Sequence, residues 1–161
     1  MDLVSGSSFY YIKRSSIVAT IEKNGRKFYS RFEKVNKKPD HNIVRQHLEK
    51  KITIGIPLIE NGHGDTLFIL YEGDEQRRFL AILSKFIDPV SDGNYSVFYG
   101  KTRKKLQIFI KTERKSLEEL HEKAALLSNT LGNSISRAWK VLPDSRLPQS
   151  YNMFVVPYSI Y

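Results

Sequence analysis

The chain predicts an α+β fold, a mostly antiparallel sheet with helices packed mainly on one face, and three observations carry that prediction. Short runs rich in aromatic and β-branched residues alternate with helical patterns that are apolar on one side only, as in Phe79, Ile82, Leu83, Phe86 and Ile87. A strand-type period of two is plain where Leu106, Ile108 and Ile110 take one face and Lys105, Gln107, Phe109 and Lys111 the other. Cap and turn residues punctuate the runs, notably Asp40, Ser116 and the polar stretch around Asn61-Gly62.

Taken in order, Ser8 to Lys13 is a strand. A short helix is expected next, capped by Ser15 or Ser16, with Ile17, Val18 and Ile21 inward and Asn24-Gly25 as its stop. Gly25 to Val35 reads as one strand with a basic outer face, and Lys37-Lys38-Pro39 breaks the pattern. Asp40 caps a helix carrying Ile43, Val44, His47 and Leu48, followed by a strand from Lys51 to Ile59. After the apolar strand Thr66 to Tyr71, Asp74 is expected to cap a helix that Pro89 ends. Strands at Tyr95 to Tyr99 and Lys105 to Lys111 flank a basic turn, and the longest helix opens at Ser116 with Glu119 completing a capping box. That helix runs to Gly132 with a core leucine stripe too short for a zipper, and the tail holds Trp139 as a core anchor before a last strand, Asn152 to Pro157. A single domain over residues 1–161 is expected, with residues 1–39 as a strand-helix-strand extension and residues 40–161 as the core.

Composition narrows the partners. Twenty-six Lys and Arg against 17 Asp and Glu give a formal charge of +9, which favours polyanionic partners such as nucleotides, nucleic acid or an anionic membrane surface. With no cysteine, a disulfide scaffold and a thiolate metal site are excluded, and a reducing, cytoplasmic home is the expectation. No apolar run reaches the roughly 18 residues of a spanning helix, and the first residues carry no leader or myristoylation pattern, so no membrane role is expected. His41, His47, His63 and His121 lack zinc-hydrolase spacing, no nucleophile elbow is present, and Gly100-Lys101-Thr102 has the tail of a P-loop without its first glycine.

The stretch from Thr66 to Lys111 concentrates the candidate chemistry. One end is the acidic corner Glu72-Gly73-Asp74; the other is the turn Lys101, Thr102, Arg103, Lys104 and Lys105. Cations and backbone N–H groups at a tight turn suit a triphosphate, with Gln107 on the strand face of Lys105, and with Arg146 and Ser150 as a second wall. A sheet face left open by one-sided helices would let Tyr99 and Phe109 stack on bases, the alternative being a single-stranded nucleic-acid binding module.

Four motifs in this order resemble the archaeo-eukaryotic primase-polymerase superfamily. His47-Leu48-Glu49-Lys50-Lys51-Ile52-Thr53-Ile54-Gly55 is similar to a His-Leu-x-Gly-x-x-Thr-Ile-Gly strand of one bacterial branch, with Lys50 in place of the glycine. Leu67 to Glu72 followed by a helix resembles the apolar strand ending in Asp-x-Asp, and Gly100 to Ile110 resembles the turn and strand of its phosphate-binding histidine. Arg146-Leu147-Pro148-Gln149-Ser150-Tyr151-Asn152 is similar to a late Arg-x-Pro-Gly-Ser-x-Asn segment. The chain also resembles a small epsilonproteobacterial family of this length that carries no functional assignment. The superfamily likeness implies a core with an RRM-like unit and nucleotide binding, whereas the departures imply lost catalysis. The paired aspartates fall on Leu70 and Glu72, the third near Pro157 or Tyr158, and the histidine on Lys105. A leucine supplies no oxygen to a two-metal clamp, so the expected protein binds an NTP or dNTP, with Glu72 as the candidate ligand for one magnesium, and makes or breaks no bond; Glu72-Gly73-Asp74, itself acidic-x-acidic, leaves an enzyme open as a further alternative.

Overall fold

A computed structural model describes residues 3–87 and 95–161. It begins with β1 (Tyr10–Lys13), and then departs from the expected helix, because Ala19–Lys23 and Arg26–Ser30 are strands β2 and β3. Asn24 and Gly25 both take positive φ, 53° and 75°, the backbone of a two-residue hairpin turn, so the pair reverses a ribbon where a helix stop was expected. Arg31 interrupts the expected strand 25–35, and β4 (Phe32–Val35) follows it. In α1 (His41–Leu48) the Asp40 carboxylate caps as predicted, accepting from the Ile43 N–H at 2.9 Å. Next come β5 (Ile54–Pro57), β6 (His63–Glu72), α2 (Gln76–Ser84), β7 (Tyr95–Tyr99) and β8 (Lys105–Ser116), the last continuing past its expected end at Lys111. The Ser116 hydroxyl caps α3 (Leu117–Gly132), accepting from the Glu119 N–H at 3.2 Å. Two unforeseen short strands, β9 (Trp139–Leu142) and β11 (Ser159–Ile160), flank β10 (Met153–Val155) in the tail. Pro89, the expected end of α2, lies outside the described residues.

The chain forms two compact units, residues 1–60 with 145–156 and residues 61–144 with 157–161. The expected division at residue 39 therefore does not hold. In the first unit the strand order is β10-β5-β1-β4, all antiparallel, so residues from both sides of position 39 share one sheet. The β2–β3 ribbon stands as a sheet of its own. Its Phe28 ring meets Tyr151 edge-on at 5.3 Å, and Lys23 Nζ donates to the Leu147 carbonyl at 2.9 Å.

His47, on α1, is fully buried and locks this unit. Its Nδ1 accepts from the Ile54 N–H at 3.1 Å, so Nε2 carries the proton and donates to the Val156 carbonyl at 2.7 Å. Burial holds its pKa below the ordinary histidine value, with the Val156 hydrogen bond opposing the shift only in part. One turn later α1 ends in a Schellman motif: Lys50 donates to the His47 carbonyl and Lys51 to that of Gln46, both at 2.9 Å. This motif needs a left-handed residue, and Lys50 supplies it at φ 62°. The position where the resembling motif carries glycine is thus one that glycine suits.

In the second unit the order β11-β7-β8-β6-β9 contains a β-α-β-β-α-β, ferredoxin-like arrangement. The fold class is α+β with antiparallel sheets, as expected. The right-handed crossover rule places α2 and α3 on one face of this sheet. Phe79 of α2 stacks on Tyr71 at 4.4 Å, which identifies that face as the one carrying Leu67, Ile69, Leu106, Ile108 and Ile110. Among the described residues, no helix is long and apolar enough to cross a membrane.

Two outcomes follow from the first unit. Lys50→Gly is expected to raise unfolding stability by about 1 kcal/mol, because it removes the left-handed penalty, whereas Lys50→Ala brings no gain. Urea unfolding midpoints at unchanged slope measure the difference. His47 has a folded pKa below its unfolded value near 6.5, so its stabilisation is complete above about pH 6.5 and is lost as pH falls beneath it. Thermal melts between pH 7.5 and 5 are expected to fall for the native chain and to flatten in His47→Gln, which is less stable at pH 7.5 but has no ring to protonate.

Candidate functional site

The acidic corner and the cationic turn meet because β6 and β8 pair in one register. Leu67 faces Ile110, Ile69 faces Ile108, Tyr71 faces Leu106, and the ladder closes with Glu72 across from Lys105. The Gly73 N–H then donates to the Lys104 carbonyl at 3.1 Å, extending the contact into the turn. Within the turn Gly100 donates to the Lys105 carbonyl at 2.9 Å and Lys105 to that of Thr102 at 3.1 Å. The Gln76 side-chain amide donates to the Arg103 carbonyl, tying the turn to the start of α2. The turn is therefore braced on both sides.

The side chains of Lys101, Thr102, Arg103 and Lys104 are exposed and Lys105 is half-buried. Arg103 lies over the Tyr99 ring at 4.8 Å, and Tyr161 sits beside that ring at 5.3 Å. Lys105 and Gln107 share a face, as expected, and Gln107 is buried opposite Leu70.

Asp74 does not cap α2. The residue flanking the helix start is Glu75, with no side-chain cap, and its N–H donates to the Tyr71 hydroxyl at 3.1 Å. That phenol is held by its stack on Phe79, and the Asp74 carboxylate lies in solvent 3.5 Å from Lys104 Nζ. Gly73 allows this closeness: a Cβ there would lie 2.6 Å from the Tyr71 oxygen.

The stacking pair is also corrected. Tyr99 faces Leu106 across the β7–β8 ladder, whereas Phe109 points to the other side of the sheet. Phe109 is 0% exposed and packs on Phe68 at 5.1 Å and Phe98 at 5.7 Å. A ring in that position cannot receive a base. The open aromatic face expected from one-sided helices is absent here because β6 and β8 are central strands buried on both sides.

Leu70 and Glu72 share a face, and Leu70 stands where a second carboxylate would be needed. Among the described residues no group of three or more His, Asp and Glu stands together to hold a metal ion. Glu72 remains as one exposed carboxylate. Arg146, exposed, and Ser150, whose hydroxyl is buried without a hydrogen-bond partner among the described residues, belong to the first unit, while the turn belongs to the second.

Two residues escaped the sequence reading. Lys140 on β9 faces Leu70, adding an exposed cation to the face of Glu72 and Lys105. Its strand is four residues long and stops before Pro143, which leaves almost no alternation to detect. Tyr71 had a signal in the glycine two residues later, whose missing side chain makes room for its ring. Gly73→Ala is expected to cost about 1–3 kcal/mol by forcing that ring from its place. Tyr71→Phe is expected to cost about 1 kcal/mol for the lost hydrogen bond, and chemical unfolding of both variants separates the two effects.

Residues 2–64 match a family model described as a domain of unknown function, DUF1882. The match covers less than half of the chain and ends before the corner and the turn. No curated protein matches the chain.

Proposed function

We propose that the protein is a cytoplasmic nucleotide-binding protein of the degenerate primase-polymerase type, which holds a nucleoside triphosphate, NTP or dNTP, at the Lys101 to Lys105 turn without transforming it. The observation that carries this reading is the ladder's last pair, Glu72 across from Lys105, with the turn braced against Gly73 and Gln76. A braced turn loses little conformational freedom on binding, so its cations act at lower entropic cost than those of a loose loop.

The roles follow from chemistry. Lys101 and Lys105 supply point charges to phosphate oxygens, and the Thr102 hydroxyl supplies a hydrogen bond. Arg103 lies over the Tyr99 ring, which presents a planar cation and a ring at the edge of the turn. Magnesium bound to a triphosphate keeps several waters and needs only one or two protein carboxylates, a demand that Glu72 alone meets. In-line phosphoryl transfer needs a second oxygen donor where Leu70 stands, so the reading is recognition rather than catalysis.

Calorimetry with ATP and dATP, with and without magnesium, tests the proposal. Binding is expected, and the Lys101→Ala/Lys105→Ala variant is expected to weaken it at least about tenfold, in keeping with charge-assisted hydrogen bonds. Glu72→Gln is expected to abolish the gain from magnesium while leaving metal-free binding intact. An absence of heat with every NTP and dNTP, in both metal conditions, overturns the reading.

A further inference from the structure

The charge of the chain is not centred on the turn. Between Lys13 and Lys38 there are nine Lys and Arg residues against Glu22 and Glu33, so seven of the nine net positive charges fall in this segment of the first unit. Glu33 is already engaged by Arg14 at 2.7 Å.

The ribbon carries Lys23, Arg26 and Lys27 of these, and Arg31 follows its last residue. Across β2 and β3, Ile21 faces Phe28 and Ala19 faces Ser30 on the inner side, where Phe28 and Ser30 are buried. The alternate residues Lys27, Tyr29 and Arg31 are exposed, Tyr29 by 55%, giving a cation, a ring and a cation in succession. Arg31 is fixed at the ribbon's base by its carbonyl, which accepts from the Arg14 N–H at 2.7 Å. Beyond β4 the chain adds Lys37 and Lys38, both exposed. Among the described residues, Lys27, Arg31, Lys37 and Lys38 form no ion pair, and Glu22, across from Lys27, is the sole acid on the ribbon.

We infer that the β2–β3 ribbon and its continuation to Lys38 bind the phosphate backbone of a nucleic acid, independently of base sequence, with Tyr29 against a sugar or base. Unpaired cations in excess displace condensed counterions from a polyanion, and an exposed ring between them adds contacts that a purely ionic surface lacks. A two-stranded ribbon is also narrow enough for a nucleic-acid groove. An anionic membrane is a poorer fit. The aliphatic side chains exposed beside the ribbon are Ile17 and Val18, too little apolar area to hold a lipid surface by insertion.

Fluorescence anisotropy of the full chain with a labelled mixed-sequence 20-nucleotide single strand and the matching duplex, at 50–200 mM salt, tests this inference. At least one of the two is expected to bind with affinity that falls linearly on a log–log salt plot. Lys27→Gln/Arg31→Gln/Lys37→Gln/Lys38→Gln is expected to weaken binding more than tenfold and to make the slope shallower by about 3, from roughly 0.7–0.9 per lost phosphate contact. The double variant Lys27→Gln/Arg31→Gln, with a circular dichroism spectrum matching the native one, is expected to lose an intermediate share. Tyr29→Ala is expected to weaken the single strand more than the duplex. The Lys101→Ala/Lys105→Ala variant is expected to bind within twofold of the native chain, which separates this surface from the nucleotide proposal. Failure of both oligonucleotides to bind, equal affinity of the quadruple variant and the native chain, or binding only to vesicles with one-third anionic lipid each overturns the inference.

Discussion

The register of β6 against β8 is the constraint on which the second unit depends. Leu67, Phe68, Ile69, Leu106, Ile108, Phe109 and Ile110 are all buried, so both faces of the pair are apolar at its centre. A slip of one residue exchanges the faces, and a slip of two sets Lys111 or Gln107 across from Phe68 in place of Phe109. Neither shift keeps the Phe68–Phe109 pair. The nearness of Glu72 and Lys105 is thus a consequence of hydrophobic packing several residues away, and their mutual attraction, at a solvent-exposed strand end, is too weak to have set it.

The corner beyond the ladder shows how one aromatic side chain redistributes polar roles. With the Tyr71 ring stacked on Phe79, its hydroxyl reaches the Glu75 N–H and closes the helix start from the sheet side. Asp74 makes no cap and lies beside Lys104 instead. Gly73 makes this geometry accessible because any larger residue would collide with the ring. The corner is ordered by a phenol and a glycine, and its charges sit on a frame they did not build.

Local signals were legible in the sequence where one short-range interaction decides the structure. Asp40 and Ser116 cap their helices because a side-chain oxygen three residues before an orphan N–H suffices. The alternation of Leu106, Ile108 and Ile110 revealed β8, whereas the meeting of Glu72 with the turn depends on the pairing of β6 with β8, which alternation alone does not give. Where two local options compete, tertiary pairing chose between them. Ile17, Val18 and Ile21 fit a helix face as well as a strand, and only the Asn24-Gly25 turn and the Phe28 partner select the ribbon. Phe109 could not be judged from its own strand, since alternation predicts two faces but not that both become buried. The division into two units was hidden for a similar reason, because the tail returns to pair with β5 through a contact nearly a hundred residues away in sequence.

Net charge, read from composition, is blind to such placement. At the corner, Lys101, Arg103, Lys104 and Lys105 face Glu72 and Asp74, and one of those acids is already paired. An anion there meets a small excess of charge, so discrimination must come from fixed positions: the braced turn, the guanidinium over Tyr99, and the single carboxylate. Along the ribbon and its continuation to Lys38 the excess is larger, and Lys27, Arg31, Lys37 and Lys38 are long, exposed and outside any ion pair among the described residues, which suits a partner with many regularly repeated phosphates and little need for exact fit. The same residue types therefore support different kinds of recognition in the two units. What separates them is whether the cations stand beside acidic partners on a braced turn or lie exposed along a ribbon that carries a single acid.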